Sequence, residues 1–494
     1  MMRYALSLDD TLRAGLCAAA VLAAWCGCAS VSYAADHAGA SIGKEAQLFV
    51  DDVMLAHKDG VVRRSSACRK LEQPVLTADK PWERTDIDRR IYVYGTALPR
   101  EDGTGCRMWY MGYPNLLLYA TSDDGIHWER PNLGLVEFEG SKDNNLLDIK
   151  LHSPSIIHEA DASDPRQRYK MLGYQKSGGD RGYWVAHSPD GLHWEFYDKN
   201  PVLPGGDTCT LAYDPDTRQY FAFHKLSHEY RGETRRLVYL AVSKDMQTWT
   251  EPELVMAPDE ADDRQTRAEG GRCSHFYNMS AFRYGSQWLG LVTHFRYMGP
   301  PSVSGPEQSG QDGPIDVQLV HSRDGRHWNR SEDRSPVIPN GPYDYDAGCI
   351  LGVANQPIVT GDEVWMYYSA ITTTHGGYIP KKQISIARAA WRLDGWCSLH
   401  AGEAGGVIET VPLRPEGDRL TVNAAASGGA VAVAVLDASG NPVAGYGDPD
   451  CTPLKRDDVR QPVRWKNRDG LPLERPIRLR FRLRNADLFS YRIE

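Results

Sequence analysis

The chain has 494 residues, carries a formal net charge of −9 at pH 7, and is 41% hydrophobic and 24% charged. That acidic balance argues against a nucleic-acid partner, and no run beyond residue 34 approaches the ~20 apolar residues of a transmembrane segment. Thirteen Trp and 25 Tyr stand against only 10 Phe, a preference for rings with a polar handle that suits both packing interfaces and sugar-binding clefts.

Residues 1–34 read as a signal peptide. Arg3 and Arg13 precede an apolar stretch at 14–24, and Ser32-Tyr33-Ala34 offers small residues for cleavage, so a secreted or periplasmic protein is expected. Cys26 and Cys28 open a second reading, a lipoprotein anchor, which Ala23 and Trp25 upstream fit poorly. Cleavage would remove two Arg and two Asp, leaving the net charge at −9, and would leave seven cysteines. An odd, scattered set with no Cys-x-x-Cys pair argues against a disulfide framework and against zinc. About 460 residues then remain, more than one ordinary core holds, so two domains are expected.

Further along, Leu48-Phe49-Val50-Asp51-Asp52 is a strand expected to close a ring of sheets. Five strand-rich units follow. The first holds Ile91 to Ala97 and Met108 to Met111; the second Ser155 to Ile157, Tyr169 to Gly173 and Gly182 to Ala186; the third Asp207 to Tyr213, Gln219 to His224 and Leu237 to Val242. The fourth runs through Phe276 to Phe282, Trp288 to Val292 and Val317 to Val320, and the fifth through Ala347 to Val359, Val364 to Tyr368 and Gln383 to Ala387. Each is a set of short strands bounded by turn residues. Residues 300–313, rich in Gly, Ser, Pro and Gln, read as a long loop over one rim, a length that often carries function.

Four units end on one seven-residue phrase, Ser-x-Asp-(Gly/Met)-x-(His/Thr)-Trp, beginning at Ser122, Ser188, Ser243 and Ser322 with spacings of 66, 55 and 79 residues. In the fifth it has decayed to Arg392-Leu393-Asp394-Gly395-Trp396. An Asp that bonds its own backbone, a Gly free to take positive φ and a Trp with a large apolar face make a hairpin turn with a packing anchor. Recurrence at this interval means one supersecondary unit per repeat, each burying what its neighbour cannot. The phrase resembles the Asp-box of sialidases and other propeller glycosidases, where it is structural, so these Asp and His residues are read as scaffold. The expected fold is all-β, a five-bladed β-propeller over residues 46–400 followed by a small β-sandwich over 403–494, where alternation continues without the phrase.

In a propeller, ligands bind where the innermost strands begin. The residues there are Asp88, His152 with Ser153, Asp207, the segment from Glu269 to His275, and Asp346. The chain is thereby similar to the five-bladed glycoside hydrolases of the family 32 and family 43 type, although the Trp-Met-Asn-Asp-Pro, Arg-Asp-Pro and Glu-Cys signatures of family 32 are absent. The resemblance implies cleavage of a poly- or oligosaccharide between paired carboxylates, with Asp88 as base or nucleophile, Asp207 as a second catalytic or substrate-holding carboxylate and Glu269 as acid. Asp346, His275, Lys225, His294, Arg296 and His375 are expected to contact substrate in a polar, partly cationic mouth suited to an anionic or heavily hydroxylated sugar. No cofactor is called for, a structural calcium ion in the central channel being the one metal role considered. A monomer or small homo-oligomer is expected. The rival readings are a non-catalytic glycan-binding propeller and a phosphorylase or lyase of the same shape.

Overall fold

A computed structural model describes residues 39–112, 115–176 and 180–494; the expected signal peptide at 1–34 lies outside the described residues. The protein is nearly all β, and among the described residues one α-helix occurs, Glu260–Ala268.

The units expected from the sequence are antiparallel meanders. The first is Ile91–Pro99, Cys106–Gly112 and Leu116–Ser122; the second His152–His158, Tyr169–Gln175, Gly182–Ser188 and Glu195–Phe196; the third Cys209–Asp214, Gln219–Tyr230, Glu233–Ser243 and Glu253–Met256. The fourth begins with Cys273–Tyr284, Gln287–Tyr297 and Ile315–Ser322, and the fifth with Cys349–Val353, Glu363–Ile371 and Ile384–Arg392; a single parallel bridge, Ile315 to Cys349, joins these two into one sheet. First strands pack on first strands in a closed circuit, Ile91–Pro99 on His152–His158, that on Cys209–Asp214, then Cys273–Tyr284, then Cys349–Val353, which returns to Ile91–Pro99.

Each neighbouring pair of units buries its own apolar layer. Trp109 and Tyr169 lie in the layer between the first and second, Leu172 and Leu211 between the second and third, Phe223 and Phe276 between the third and fourth, Leu291 and Tyr368 between the fourth and fifth, and Tyr367 and Val93 between the fifth and first. With both faces covered, these strands read as almost continuous apolar runs. Because the apolar mass lies between units, polar residues at the strand starts can gather around the axis without disrupting a core.

The repeated phrase explains part of that packing. In each copy the Asp Oδ1 accepts two backbone N–H groups, for Asp124 those of Ile126 and His127, both at 2.8 Å, and for Asp324 those of Arg326 and His327, also at 2.8 Å. The next residue turns left-handed, φ +70° at Gly125 and +78° at Gly191, and the third copy holds Met246 at +66°. The turn then reaches the preceding unit: Trp109 Nε1 donates to the Gly191 carbonyl at 2.7 Å, and Tyr367 Oη to the Gly125 carbonyl at 2.9 Å. At the decayed fifth copy, buried Asp394 turns away from its own backbone and accepts from Tyr284 Oη, Ser490 Oγ and Arg492 at 2.8–3.0 Å.

Two further six-stranded sheets share one apolar cluster that includes Val433, Trp465, Phe481 and Tyr491. Residues 40–65 add strands to both, Leu55–Asp59 against Gly406–Thr410 and Val62–Ser65 against Cys397–Ala401. Leu48, expected in the ring, pairs with Ser490 instead. The cause is the next residue: Phe49 buries its ring against Phe481 and Tyr491, with centroids 6.0 and 5.9 Å away. The strand that completes the fifth unit from the N-terminal side is Arg69–Lys70, with Lys70 opposite Ala389. In Ile477–Arg484 the apolar residues are buried and the four arginines face outward or sit half-buried, so this strand has one solvated face.

Candidate active site

The ring of first strands surrounds a cleft of about 540 Å³, lined by Tyr92 and Tyr94 of the first unit, His152 of the second, Asp207 ahead of the third, Tyr277 of the fourth and Leu351 of the fifth. Residues outside the first strands complete it. Arg236 reaches in because the hairpin Gln219–Tyr230 and Glu233–Ser243 overruns the shorter strand Cys209–Asp214. Residues 305 and 307–309 of the rim loop close one side, with His375 and Lys382 beside them.

Asp207 owes its position to its neighbours. Its φ is +103° and that of Gly205 is +104°, conformations that cost energy in a residue with a side chain and cluster at functional sites. A Cβ at Gly205 would come within 2.6 Å of Leu226, and one at Gly206 within 2.6 Å of the Tyr174 ring. The chain therefore passes tightly between those side chains and projects the carboxylate into the cleft, with 38% of its side-chain surface open. His152 Nε2 lies 3.0 Å from Asp207 Oδ1, with Nδ1 3.0 Å from Asn115 Oδ1, and Lys225 forms an ion pair with Asp207 Oδ2. Burial pushes the Asp207 carboxyl up, but the Lys225 ammonium and the His152 contact outweigh it and hold the group well below the usual carboxylate range. Lys225 is buried, with its Nζ 4.1 Å from the Tyr277 ring centre.

The walls are aromatic. Tyr92 and Tyr94 stack at 5.4 Å with 14° between their planes, and burial keeps both hydroxyls protonated. Behind them His275 is buried, packed on Phe295 and Tyr297, with Nδ1 3.3 Å from the Arg236 guanidinium. Burial, reinforced by Arg236, pushes His275 down to about 3. Burial brings His375 down to about 3 as well, and its Nδ1 donates to the Gln311 carbonyl at 2.8 Å.

The sequence-predicted residues thus divide. Asp207, Lys225, His275 and His375 gather at or directly behind the cleft. Asp88 does not line it: it is buried and takes two bonds from Arg90, at 2.6 and 2.5 Å. Glu269 caps the C-terminus of Glu260–Ala268 and lies 2.9 Å from Arg296, which also pairs with Asp316. His294 is fully enclosed between Ser274 Oγ at 2.9 Å and Gln318 at 3.1 Å. Asp346 is fully buried and holds Lys70 Nζ at 2.5 Å and Tyr368 Oη at 2.8 Å. A side chain with no exposed surface cannot meet a sugar, so the substrate contact expected of Asp346 and His294 is not seen.

Sequence reasoning missed Glu307, Arg236, Lys382 and the three tyrosines. Glu307 had a signal, since the loop at 300–313 stood out as a rim insertion; it lies 3.4 Å from Arg90. Among the described residues, no group of three or more His, Cys, Asp or Glu is arranged to hold a metal ion, and the cysteines at 68, 106, 209, 273, 349, 397 and 451 are free. No helix among them is long and apolar enough to cross a membrane.

No protein-family model matches the chain. It is 27% identical over 130 residues to an uncharacterized protein, MT1551, of Mycobacterium tuberculosis (strain CDC 1551 / Oshkosh), spanning 24% of this chain and 38% of that relative. Similar solved structures include an N-acetylgalactosamine deacetylase from F. plautii in complex with blood group B trisaccharide, 14% identical with a TM-score of 0.43, covering 68% of this chain and 97% of that one. A glycosyl hydrolase from Bacteroides ovatus is 13% identical with a TM-score of 0.42, covering 71% and 99%. A thermostable family-43 glycoside hydrolase is 13% identical with a TM-score of 0.43, covering 63% and 93%. Likeness this distant leaves activity to be argued from the cleft itself.

Proposed function

We propose that the protein is an exported glycoside hydrolase acting on a poly- or oligosaccharide, built as a five-bladed β-propeller of the family 32 and family 43 type with an accessory β-sandwich. The closed circuit of first strands supports the propeller, and the shared core of the two six-stranded sheets supports the sandwich. The observation that carries the activity is Asp207, a strained, partly open carboxylate kept ionised by Lys225 and His152 at the mouth of an aromatic cleft. A group held in that state acts as nucleophile or base and not as proton donor. Glu307 is the other carboxylate lining the cleft among the described residues. Its contact with Arg90 is long, 3.4 Å, and 43% of its side chain is open, unlike Asp88, so donation of a proton to the leaving glycosidic oxygen falls to it. Tyr92 and Tyr94 offer a ring face on which a pyranose can stack. Asp88 and Glu269, engaged by Arg90 and Arg296, become supports of the walls.

The test is sugar release from a panel of plant and marine polysaccharides by purified mature protein, run beside Asp207→Asn and Glu307→Gln. Release that falls at least ~100-fold in both variants is the expected outcome. Glu307→Gln should melt near wild type, and Asp207→Asn lower, because it leaves Lys225 unpaired, but still cooperatively folded at the assay temperature. Undiminished release by Asp207→Asn would overturn the assignment of the residue. A wild type that retains glycan on an affinity gel and releases nothing would make this a binding protein.

A further inference from the structure

Arg236 and Lys382 line the cleft, and among the described residues neither forms an ion pair with a carboxylate, Asp312 acting on Lys382 only at longer range. Other cations near the cleft are matched, Lys225 by Asp207 and Arg90 by Asp88. The Arg236 guanidinium lies over Tyr277 and Phe295, at 5.0 and 5.4 Å, and donates to His275 Nδ1 and to the Gln311 side-chain oxygen. All of these are neutral, and burial keeps His275 so. Lys382 is 7% exposed, with its Nζ donating to the His375 carbonyl at 2.7 Å. The two cations are tied together, because Gln311 also accepts from His375 Nδ1 through its backbone carbonyl.

Burying an ammonium or a guanidinium without a counter-charge is costly, and that cost falls when a ligand brings the charge. The planar fork of Arg236 suits an oxyanion with two acceptor oxygens, and Lys382 adds a point charge. Lys225 lies over the same Tyr277 ring as Arg236 but is already neutralised by Asp207, so Arg236 and Lys382 are the cations left to receive an anion. We propose that Arg236 and Lys382 form a subsite for a carboxylate or sulfate group carried by the sugar, making the substrate an anionic glycan; this rests on the glycoside hydrolase reading.

Binding separates the two claims. Isothermal titration is made on Asp207→Asn, chosen so that a bound glycan is not consumed, with trigalacturonate against its methyl ester, a chondroitin sulfate tetrasaccharide against its desulfated form, and inorganic phosphate alone. The expected result is that at least one charged oligosaccharide binds about tenfold or more tighter than its neutralised form, that salt weakens the preference, and that Arg236→Gln and Lys382→Met each abolish it. Arg236→Lys, which keeps the charge and loses the fork, replaces the glutamine variant should that one fail to fold, and is expected to retain an intermediate preference. Equal or tighter binding of the neutralised sugars, a preference unchanged in Lys382→Met and Arg236→Lys, or phosphate alone accounting for all Arg236-dependent binding would each overturn the subsite. None of these depends on wild-type cleavage, which is what decides the hydrolase reading.

Discussion

Asp207 and Asp346 stand at the start of the first strands of the third and fifth units, and each is paired with a lysine, Lys225 and Lys70. Asp207 leaves 38% of its side chain open to the cleft, whereas Asp346 leaves none. Their second contacts differ as well, a histidine for Asp207 and the Tyr368 hydroxyl for Asp346. The same ion pair is thus open to the cleft in one unit and sealed in the other, and under the proposed function that access is what separates a chemical role from an architectural one.

Substituting both sites is the strongest test of this contrast. Asp207→Asn is expected to lower sugar release at least ~100-fold. It should also lower stability, because it leaves buried Lys225 unpaired, though by less than at the enclosed Asp346 site, since Asp207 is 38% open to water. Asp346→Asn should destabilise more, by about 3–5 kcal/mol, because it strands the Lys70 ammonium in a fully enclosed site, while whatever folds keeps near-normal turnover. Urea unfolding alongside rate measurements reads both, and a reversed pattern would break the comparison.

The cleft wall also differs from the Asp346 site in carrying buried histidines. Burial takes His275 and His375 down to about 3 from 6.5, so the unfolded chain binds their protons first. Their contribution to stability is complete above pH 6.5 and is lost as pH falls from there toward 3, with a slope of up to ~1.4 kcal/mol per pH unit for each. Stability measured across that window in His375→Asn should show the shallower slope. The smallest effect belongs to the exposed turns: Asp324→Ala removes two backbone bonds at 2.8 Å and should cost about 1 kcal/mol without altering turnover.

The repeat was legible because its chemistry is local. The Ser hydroxyl, the Asp carboxylate and, in three copies, the Trp indole bond within their own turn, across two or three residues. Asp207 was legible for a related reason, since two glycines before a strand mark a tight approach. Asp346 looked equivalent because its enclosing lysine comes from 276 positions away. Glu269 and Asp88 misled although their partners are nearer, Arg90 standing two residues after Asp88: adjacency to a strand start does not say whether a carboxylate is already occupied. Arg236 escaped notice because it sits on the third strand of its unit and reaches the cleft through the overrun of a hairpin.

By itself, then, the sequence determined the β-rich repeating units, the turns that end them and the place along each unit where polar residues collect, because strand alternation and turn formation act over a few residues. Only the tertiary structure decided which of those polar residues face the cleft, that Phe49 draws the N-terminal strand to the last sheet, and which cations remain unmatched. Burial and charge pairing can join segments hundreds of residues apart, as Lys70 with Asp346, and no local pattern encodes the distance at which they meet.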